Sequence, residues 1–301
     1  MQQVLTLCAA PGALAADTLA TAARLLADAG ARIGDPTWLA PGEAADIPFD
    51  AERPVECVAR VRVGLEDAPV DVNGGPAAGR RKRLLIADMD STIIVGESLD
   101  ELAEYAGIRD QIAAITARAM RGELDFEGAL RERVGMLKGL PATTIDTVVD
   151  GLQLTPGADV LVATMKAAGA YCALVSGGFK PMTGAIRQRI GFDEDRSNIL
   201  HVADGVLAGT VGEPILGRDA KLATLKELCA AHGLALDAAL AVGDGANDLA
   251  MLGAAGMGVA FQAKPAVRDA AGFRIEHADL RGLLYLQGYK VSDFATGSVA
   301  G

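Results

Sequence analysis

Positive charge is in short supply. The chain has 28 Lys and Arg against 39 Asp and Glu, a net charge of −11. So acidic a surface excludes general nucleic-acid binding, which needs clustered cations against phosphates. An anionic ligand would need a few cations or a metal ion to reverse the local field. Cysteine is scarce as well. Cys8, Cys57, Cys172 and Cys229 stand apart with no CxxC pair. That excludes a disulfide or zinc framework and fits reduced thiols in a cytoplasmic protein. His201, His232 and His277 lack HxxxH spacing, so no histidine metal site is expected. Aromatics make up only 4% of the residues while glycine is abundant, which favours a helix-rich chain with many tight turns. No segment approaches the ~18 uninterrupted apolar residues of a membrane span. The opening "VLTLCAAPGALAA" is apolar and ends in an A-x-A-like pattern, but no Lys or Arg precedes it and Pro11-Gly12 interrupts it. It reads as a first strand and turn rather than a signal peptide.

What the chain does have is apolar bulk: 50% of its 301 residues are hydrophobic, enough for a sizeable core. Residues 1–75 read as a small α+β domain. Val4–Cys8 is a strand candidate and Asp17–Asp28 a helix closed by Gly30. Val55, Cys57, Ala59, Val61 and Val63 alternate with mostly polar residues, which reads as a half-buried strand. The stretch "DAPVDVNGGPAAGRRKR" reads as a linker ending in a solvated basic run, with a boundary near Asn73–Arg80. From 80 to 301 strands and helices alternate. Strand candidates are Leu84–Asp88, Tyr171–Ser176 and Ala238–Gly243, which predicts an α/β fold with a doubly wound parallel sheet. Roughly 80 residues separate the first two strands, far more than one crossover helix needs. An inserted helical cap is expected over about 96–152, with Ser98-x-x-Glu101 as a capping box. Asp204-Gly205 between apolar runs predicts a hairpin.

Each of the three strands ends in a polar stretch. "DMDST" puts Asp88 and Asp90 two residues apart, on one side of a strand by its period of two. Two close carboxylates repel unless a cation sits between them. Mg²⁺ suits such hard oxygen ligands; the EF-hand spacing for calcium fails. "VSGGFKPM" places Ser176, Gly177 and Gly178 before Pro181, which reads either as an ordinary turn or as an anion nest at a helix N-terminus. "VGDGANDLAM" adds Asp244, Asn247 and Asp248 at the same edge. Lys221 falls in the first turn of a helix expected to start at Asp219. That is the unfavourable end for a cation, so either an anion lies nearby or the lysine snorkels to the surface. On a helix from Asp125, Phe126, Leu130, Arg133 and Leu137 share one face, and an arginine in that stripe needs a structural carboxylate or a ligand carboxylate as partner.

Asp88-Met-Asp90-Ser-Thr, Ser176-Gly-Gly, Lys221 and Gly243-Asp-Gly-x-Asn247-Asp248 resemble, in order, the four motifs of the haloacid dehalogenase (HAD) superfamily of phosphatases. The cap stretch "AMRGELDFEGALRERVGMLKGL", "VGEPI" and the tail "LLYLQGY" resemble the phosphoserine-hydrolysing branch of it. The resemblance covers about Leu84 to Tyr289. It departs at Ala87, where an aromatic is common. The first 75 residues are compatible with an ACT-like regulatory module. The resemblance implies an HAD-like core with its cap. It implies Mg²⁺-dependent hydrolysis of O-phospho-L-serine, the last step of serine biosynthesis, through an aspartyl-phosphate. Asp88 would be the nucleophile and Asp90 the general acid and base. Mg²⁺ would be held by Asp88, the Asp90 carbonyl and Asp244, with Asp248 in support. Ser176, Gly177 and Lys221 would bind the phosphoryl oxygens, with Gly178 beside them, and Asn247 would contact the substrate side of the site. Glu97 would take the substrate ammonium and Arg133 its carboxylate, under Met120 and Phe126. A homodimer is compatible with this reading; nucleic-acid and membrane partners are not expected. The alternatives are another small phosphomonoester as substrate, a phosphotransferase, or a non-enzymatic receiver-type module that carries a phospho-aspartate.

Overall fold

The computed structural model describes residues 1–120 and 123–295, with Met120 described by its backbone alone. The N-terminal elements are β1 (Gln3–Cys8), α1 (Ala16–Asp28), β2 (Arg32–Ile33), β3 (Thr37–Ala40), β4 (Ala44–Asp50), α2 (Pro54–Gly64) and β5 (Asp71–Pro76). β1 pairs antiparallel with β4 on one side and β5 on the other, while β2 and β3 both pair with β4. Leu5, Leu7, Ile47 and Phe49 bury one face of this sheet under Leu19 and Leu26 of α1 and Cys57 and Val61 of α2. The other face is covered too, because Cys8, Leu39 and Ala44 join a cluster with Leu284 and Tyr285.

Two expectations fail here. Residues 55–63 are helical, not a strand. Val55 and Val63 are 80% and 67% exposed, whereas Cys57, Val58 and Val61 are buried, the i, i+1, i+4 stripe of a helix. Pro54 sits at the helix start, where its fixed φ and missing N–H cost nothing. The supposed linker is also structured. Asp71–Pro76 forms β5, and buried Asp71 accepts the N–H groups of Glu276 (2.7 Å), His277 (3.1 Å) and Ala278 (2.9 Å). In the basic run that follows, Arg81 and Arg83 are exposed as expected, but Arg80 and Lys82 are not. Arg80 pairs with Asp46 at 2.6 Å, bonds Thr6 at 3.0 Å, and donates to the carbonyls of Tyr285 and Leu286 at 2.9 Å each. Arg80→Ala would strand the buried Asp46 carboxylate. It is expected to cost about 3 kcal/mol, read as a lower urea midpoint; an unchanged midpoint would mean that water replaces the guanidinium.

The remaining elements begin with β6 (Leu84–Ala87), then α3 (Ser98–Tyr105), α4 (Arg109–Met120), α5 (Phe126–Met136), α6 (Thr143–Gly151) and α7 (Ala158–Ala167). Next come β7 (Tyr171–Phe179), α8 (Lys180–Ile190), β8 (Glu194–Asn198), β9 (Leu200–Ala203), β10 (Val206–Val211) and α9 (Arg218–Ala231). The chain continues with β11 (Ala239–Gly243), α10 (Leu249–Ala254), β12 (Met257–Phe261), α11 (Pro265–Ala270), β13 (Phe273–Ile275) and α12 (Gly282–Leu286). A six-stranded parallel sheet runs in the order β13-β12-β11-β6-β7-β8. β6 and β11 are buried throughout, as strands covered on both faces must be. Leu85 and Val242 face one apolar cluster, and Ile86 and Ala241 face the other. No helix among the described residues is long and apolar enough to cross a membrane.

Helices α3 to α6 leave the core after β6 and return before α7 through two segments that bond to each other. Val95 N–H donates to the Gln153 carbonyl at 2.9 Å, and Thr155 N–H to that of Ile93 at 3.0 Å. A second seam joins this insertion to the β9–β10 hairpin. Gly139 N–H donates to the Leu207 carbonyl (2.9 Å) and Leu207 N–H to that of Leu140 (2.8 Å). The hairpin turns at Asp204 (φ 51°) and Gly205 (φ 77°), both left-handed, as a two-residue type I′ turn requires. The expected capping box at Ser98 does not form. Ser98 is the first helical residue and Glu97 the cap position, with no side-chain bond from it. The group that caps α3 comes instead from Asp90.

Candidate active site

The order β11-β6-β7 puts the carboxyl ends of three strands side by side, so Asp244, Asp88 and Ser176 share one crevice. Asp88 is held at both ends. Its N–H bonds the Val242 carbonyl at 3.0 Å and its Oδ1 accepts the Met89 N–H at 2.7 Å. Strand alternation does not bring Asp90 beside it, contrary to expectation. β6 ends at Ala87, and residues 89–93 form one wide turn in which Ser91 takes φ 54°. That turn folds Asp90 back over the crevice. Its Oδ1 accepts the Ser98 N–H at 2.7 Å, and Ser176 Oγ donates to its Oδ2 at 3.2 Å. Burial, reinforced by the Asp88 charge, raises the Asp90 carboxyl to about 6 against the pull of the Ser98 N–H.

Lys221 lies 1% exposed in the first turn of α9. The cap position there is Gly217, not Asp219. The Lys221 ammonium stands 2.7 Å from Asp88 Oδ2 and 2.6 Å from Asp248 Oδ1. Burial alone would lower its pKa; Asp88 and then Asp248 outweigh that and raise it. Asp248 is fully buried and accepts the Gly245 N–H at 3.0 Å as well. One oxygen from each of Asp88, Asp244 and Asp248 falls within 4.8 Å of the others. Three carboxylates against one lysine leave net negative charge in a nearly closed space. An all-oxygen set of this kind suits a small hard cation.

The Ser-Gly-Gly stretch departs from a nest at a helix N-terminus. β7 runs on through it to Phe179, so α8 starts two residues later. The Gly178 N–H is taken by Ser176 Oγ at 2.9 Å. A Cβ on Gly178 would lie 2.9 Å from Asp90 Oδ2 and 3.1 Å from Ser176 Oγ. Above the crevice, Asp125 caps α5 by accepting the Gly128 N–H at 2.7 Å. This sets Phe126 over the floor, where Cβ atoms on Gly177 and Gly217 would lie 3.2 Å and 3.3 Å from its ring. Arg133 spends its Nε on the Ala129 carbonyl of its own helix at 3.2 Å. Among the described residues it forms no ion pair, and burial lowers its pKa despite Asp100, Glu97 and Asp90 nearby. Glu97 accepts from Ser91 Oγ at 2.8 Å. Much of its side chain meets solvent, yet the crowded mouth desolvates its carboxyl and, with the Asp90 charge, raises it to about 7.

Residues 85–253 match the haloacid dehalogenase-like hydrolase family. The chain belongs to the haloacid dehalogenase-like hydrolases. It is 43% identical over 241 residues to a phosphoserine phosphatase of Mycobacterium tuberculosis, covering 78% of this chain and 59% of that one. The chain spans 51% to 66% of the length of this and two other such relatives. Among solved structures, an HAD family hydrolase from Salmonella enterica serovar Typhi superposes with a TM-score of 0.85 at 32% identity, covering 94% of this chain and 98% of that one. A phospho-aspartyl intermediate analogue of a phosphoserine phosphatase superposes at 0.64 with 38% identity, over 68% of this chain and 98% of that one.

In this HAD-like hydrolase, Asp88, Asp90, Ser176, Lys221, Asp244 and Asp248 gather at one sheet edge. Asn247 stands in the same turn as Asp244 and Asp248. The Met120 side chain lies outside the described residues. Sequence reasoning passed over Ser91, the link between the turn carrying Asp90 and the insertion carrying Glu97. A Ser-Thr pair between two motifs carries no local sign of it, because its left-handed backbone is set by the turn. Gly178→Ala is expected to displace the Asp90 carboxylate and lower kcat/KM by about 10²-fold with little change in Tm. Steady-state kinetics check this; wild-type values would mean that the loop yields to the methyl group.

Proposed function

We propose that the chain hydrolyses O-phospho-L-serine to L-serine and phosphate. The observation that carries this reading is Arg133, a half-buried guanidinium without an ion-pair partner among the described residues, near enough to Glu97 and Asp90 to feel their charges. Together they offer an anion site and a cation site above the carboxylates, which matches an α-amino acid and not a sugar phosphate. Family membership and the relatives named above support the same substrate.

Asp88 attacks phosphorus to form an aspartyl-phosphate. Asp90 protonates the departing serine oxygen and then takes a proton from the hydrolytic water. Its raised carboxyl pKa suits both duties near neutral pH. Ser176, Gly177 and Lys221 hold phosphoryl oxygens and offset the charge that develops on them. Asn247 contacts the substrate side of the site, with Gly178 and Asp248 in supporting positions. Arg133 takes the substrate carboxylate and Glu97 its ammonium. Phe126, with Met120, closes the site against water. The metal that fits this carboxylate set is Mg²⁺, which Asp88, the Asp90 carbonyl and Asp244 would hold; bound there it would offset charge on the phosphoryl oxygens.

The test is a rate comparison with phosphoserine, phosphothreonine and phosphoglycolate, with and without a chelator. Phosphoserine is expected to be clearly preferred, and the chelator to abolish activity until Mg²⁺ is restored. Equal rates on the three would move the reading to a less selective phosphatase. Arg133→Ala is expected to raise KM for phosphoserine by about 10- to 100-fold and to leave p-nitrophenyl phosphate hydrolysis nearly unchanged. Loss on both substrates alike would return Arg133 to a structural role.

A further inference from the structure

Asn198 ends β8 and is 2% exposed. Its side-chain amide touches the two segments that carry the phosphate-side groups. The Nδ2 group donates to the Gly177 carbonyl at 2.8 Å and to the Leu216 carbonyl at 3.4 Å. Its Oδ1 accepts the Leu216 N–H at 2.7 Å. Gly177 follows Ser176 in the Ser-Gly-Gly stretch. Leu216 precedes Gly217, the cap position of α9, whose first turn carries Lys221. β7 and α9 are far apart in sequence, and among the described residues no backbone hydrogen bond links Gly177 to Leu216 or Gly217; the Asn198 amide joins the two segments. Phe126 lies over the same two segments from above, against Gly177 and Gly217.

We propose that Asn198 is a positioning residue that fixes the spacing between Ser176-Gly177 and Lys221, and so the width of the phosphoryl grip. Few other side chains can do this. The task needs a donor for two carbonyls and an acceptor for one N–H, all buried. Aspartate keeps the acceptor but sets a charged oxygen against two carbonyls. Leucine has similar bulk and leaves all three backbone groups unpaired. Serine is too short to reach both segments. Misplacement of a gripping group by an ångström is enough to slow the reaction by about 10²-fold. Because the clamp acts on the phosphoryl end, its loss slows every phosphomonoester alike, whatever the rest of the substrate.

The proposal rests on a phosphoryl-transfer role for Ser176, Gly177 and Lys221, and it is tested on Asn198→Asp and Asn198→Ala. For both, kcat/KM is expected to fall about 10- to 100-fold, by the same factor on phosphoserine and on p-nitrophenyl phosphate. Inorganic phosphate, titrated calorimetrically in the presence of Mg²⁺, is expected to bind at least several-fold more weakly. Circular dichroism and a Tm near that of the parent chain would establish that the variants fold. A folded variant with kinetics within twofold of the parent overturns the proposal, as does a loss confined to phosphoserine. If neither variant folds, Asn198 serves folding and not positioning, which also overturns it. Should the parent chain cleave p-nitrophenyl phosphate but not phosphoserine, the substrate assignment fails while the Asn198 comparison still stands on the aryl ester. Should it turn over neither, the phosphate titration still reads the clamp.

Discussion

Asp88→Asn is expected to lower kcat for phosphoserine by at least about 10⁴-fold and to leave the fold intact. Turnover is lost because an amide oxygen is a poor nucleophile and forms no acyl phosphate. The fold survives because the groups that Asp88 partners keep other contacts. The Met89 N–H still meets an oxygen at Oδ1, and Lys221 keeps its 2.6 Å contact with Asp248. Removing one of three crowded carboxylates also relieves repulsion, which offsets the weakened pairing of Lys221. The parent chain, quenched in acid during turnover of ³²P-labelled substrate, should carry label that hydroxylamine removes; the variant should carry none. A variant that keeps a tenth of the parent activity, once deamidation is excluded by mass spectrometry, would remove Asp88 as the nucleophile.

Asp90→Asn should divide the reaction in two. The serine alkoxide is a poor leaving group and needs its proton, so phosphoserine turnover is expected to fall by about 10³-fold. p-Nitrophenolate leaves without help, so the first step on that ester should be nearly unaffected. The second step still lacks its base. The expected record is therefore a burst of one equivalent of p-nitrophenol per enzyme followed by a stall, with phosphate retained on the protein. The Ser98 N–H can still donate to an amide oxygen in place of Asp90 Oδ1, so α3 keeps its cap. Equal loss on both substrates with no burst would show that Asp90 serves position and not proton transfer. A long-lived phospho-protein in the parent chain itself would instead favour the receiver-type alternative.

The parts of this molecule that were legible in its sequence are those written locally. An apolar run followed by Asp, Ser or Gly-Asp marks a buried strand and its turn, and β6, β7 and β11 were readable for that reason. Lys221 was readable because a cation at the positive end of a helix runs against simple electrostatics, and two carboxylates explain it. What was not legible depends on distant partners. The valines of α2 alternate and also lie on a helical stripe, and only packing on α1 and β5 decides between the two periods. β5 looks like a linker because its Gly-Gly-Pro reads as a breaker, yet it pairs with β1 at the start of the chain. Asp90 comes near Asp88 through the wide turn that begins at Met89, not through strand alternation. Asn198 ends an ordinary strand; its importance lies in what crosses above it.

The seam between Gly139–Leu140 and Leu207 has a bearing on modularity. An insertion that touches its host only where it enters and leaves can be exchanged as a cassette. This one cannot. Excising residues 96–152 would strip Leu207, which is 1% exposed, of both backbone partners, and would leave the Gly205 carbonyl without the Ala142 N–H. The β9–β10 hairpin and the cap are therefore two halves of one small structure, separated in the chain by α7, β7, α8 and β8. A swap of substrate specificity by cap exchange has to carry the hairpin with it.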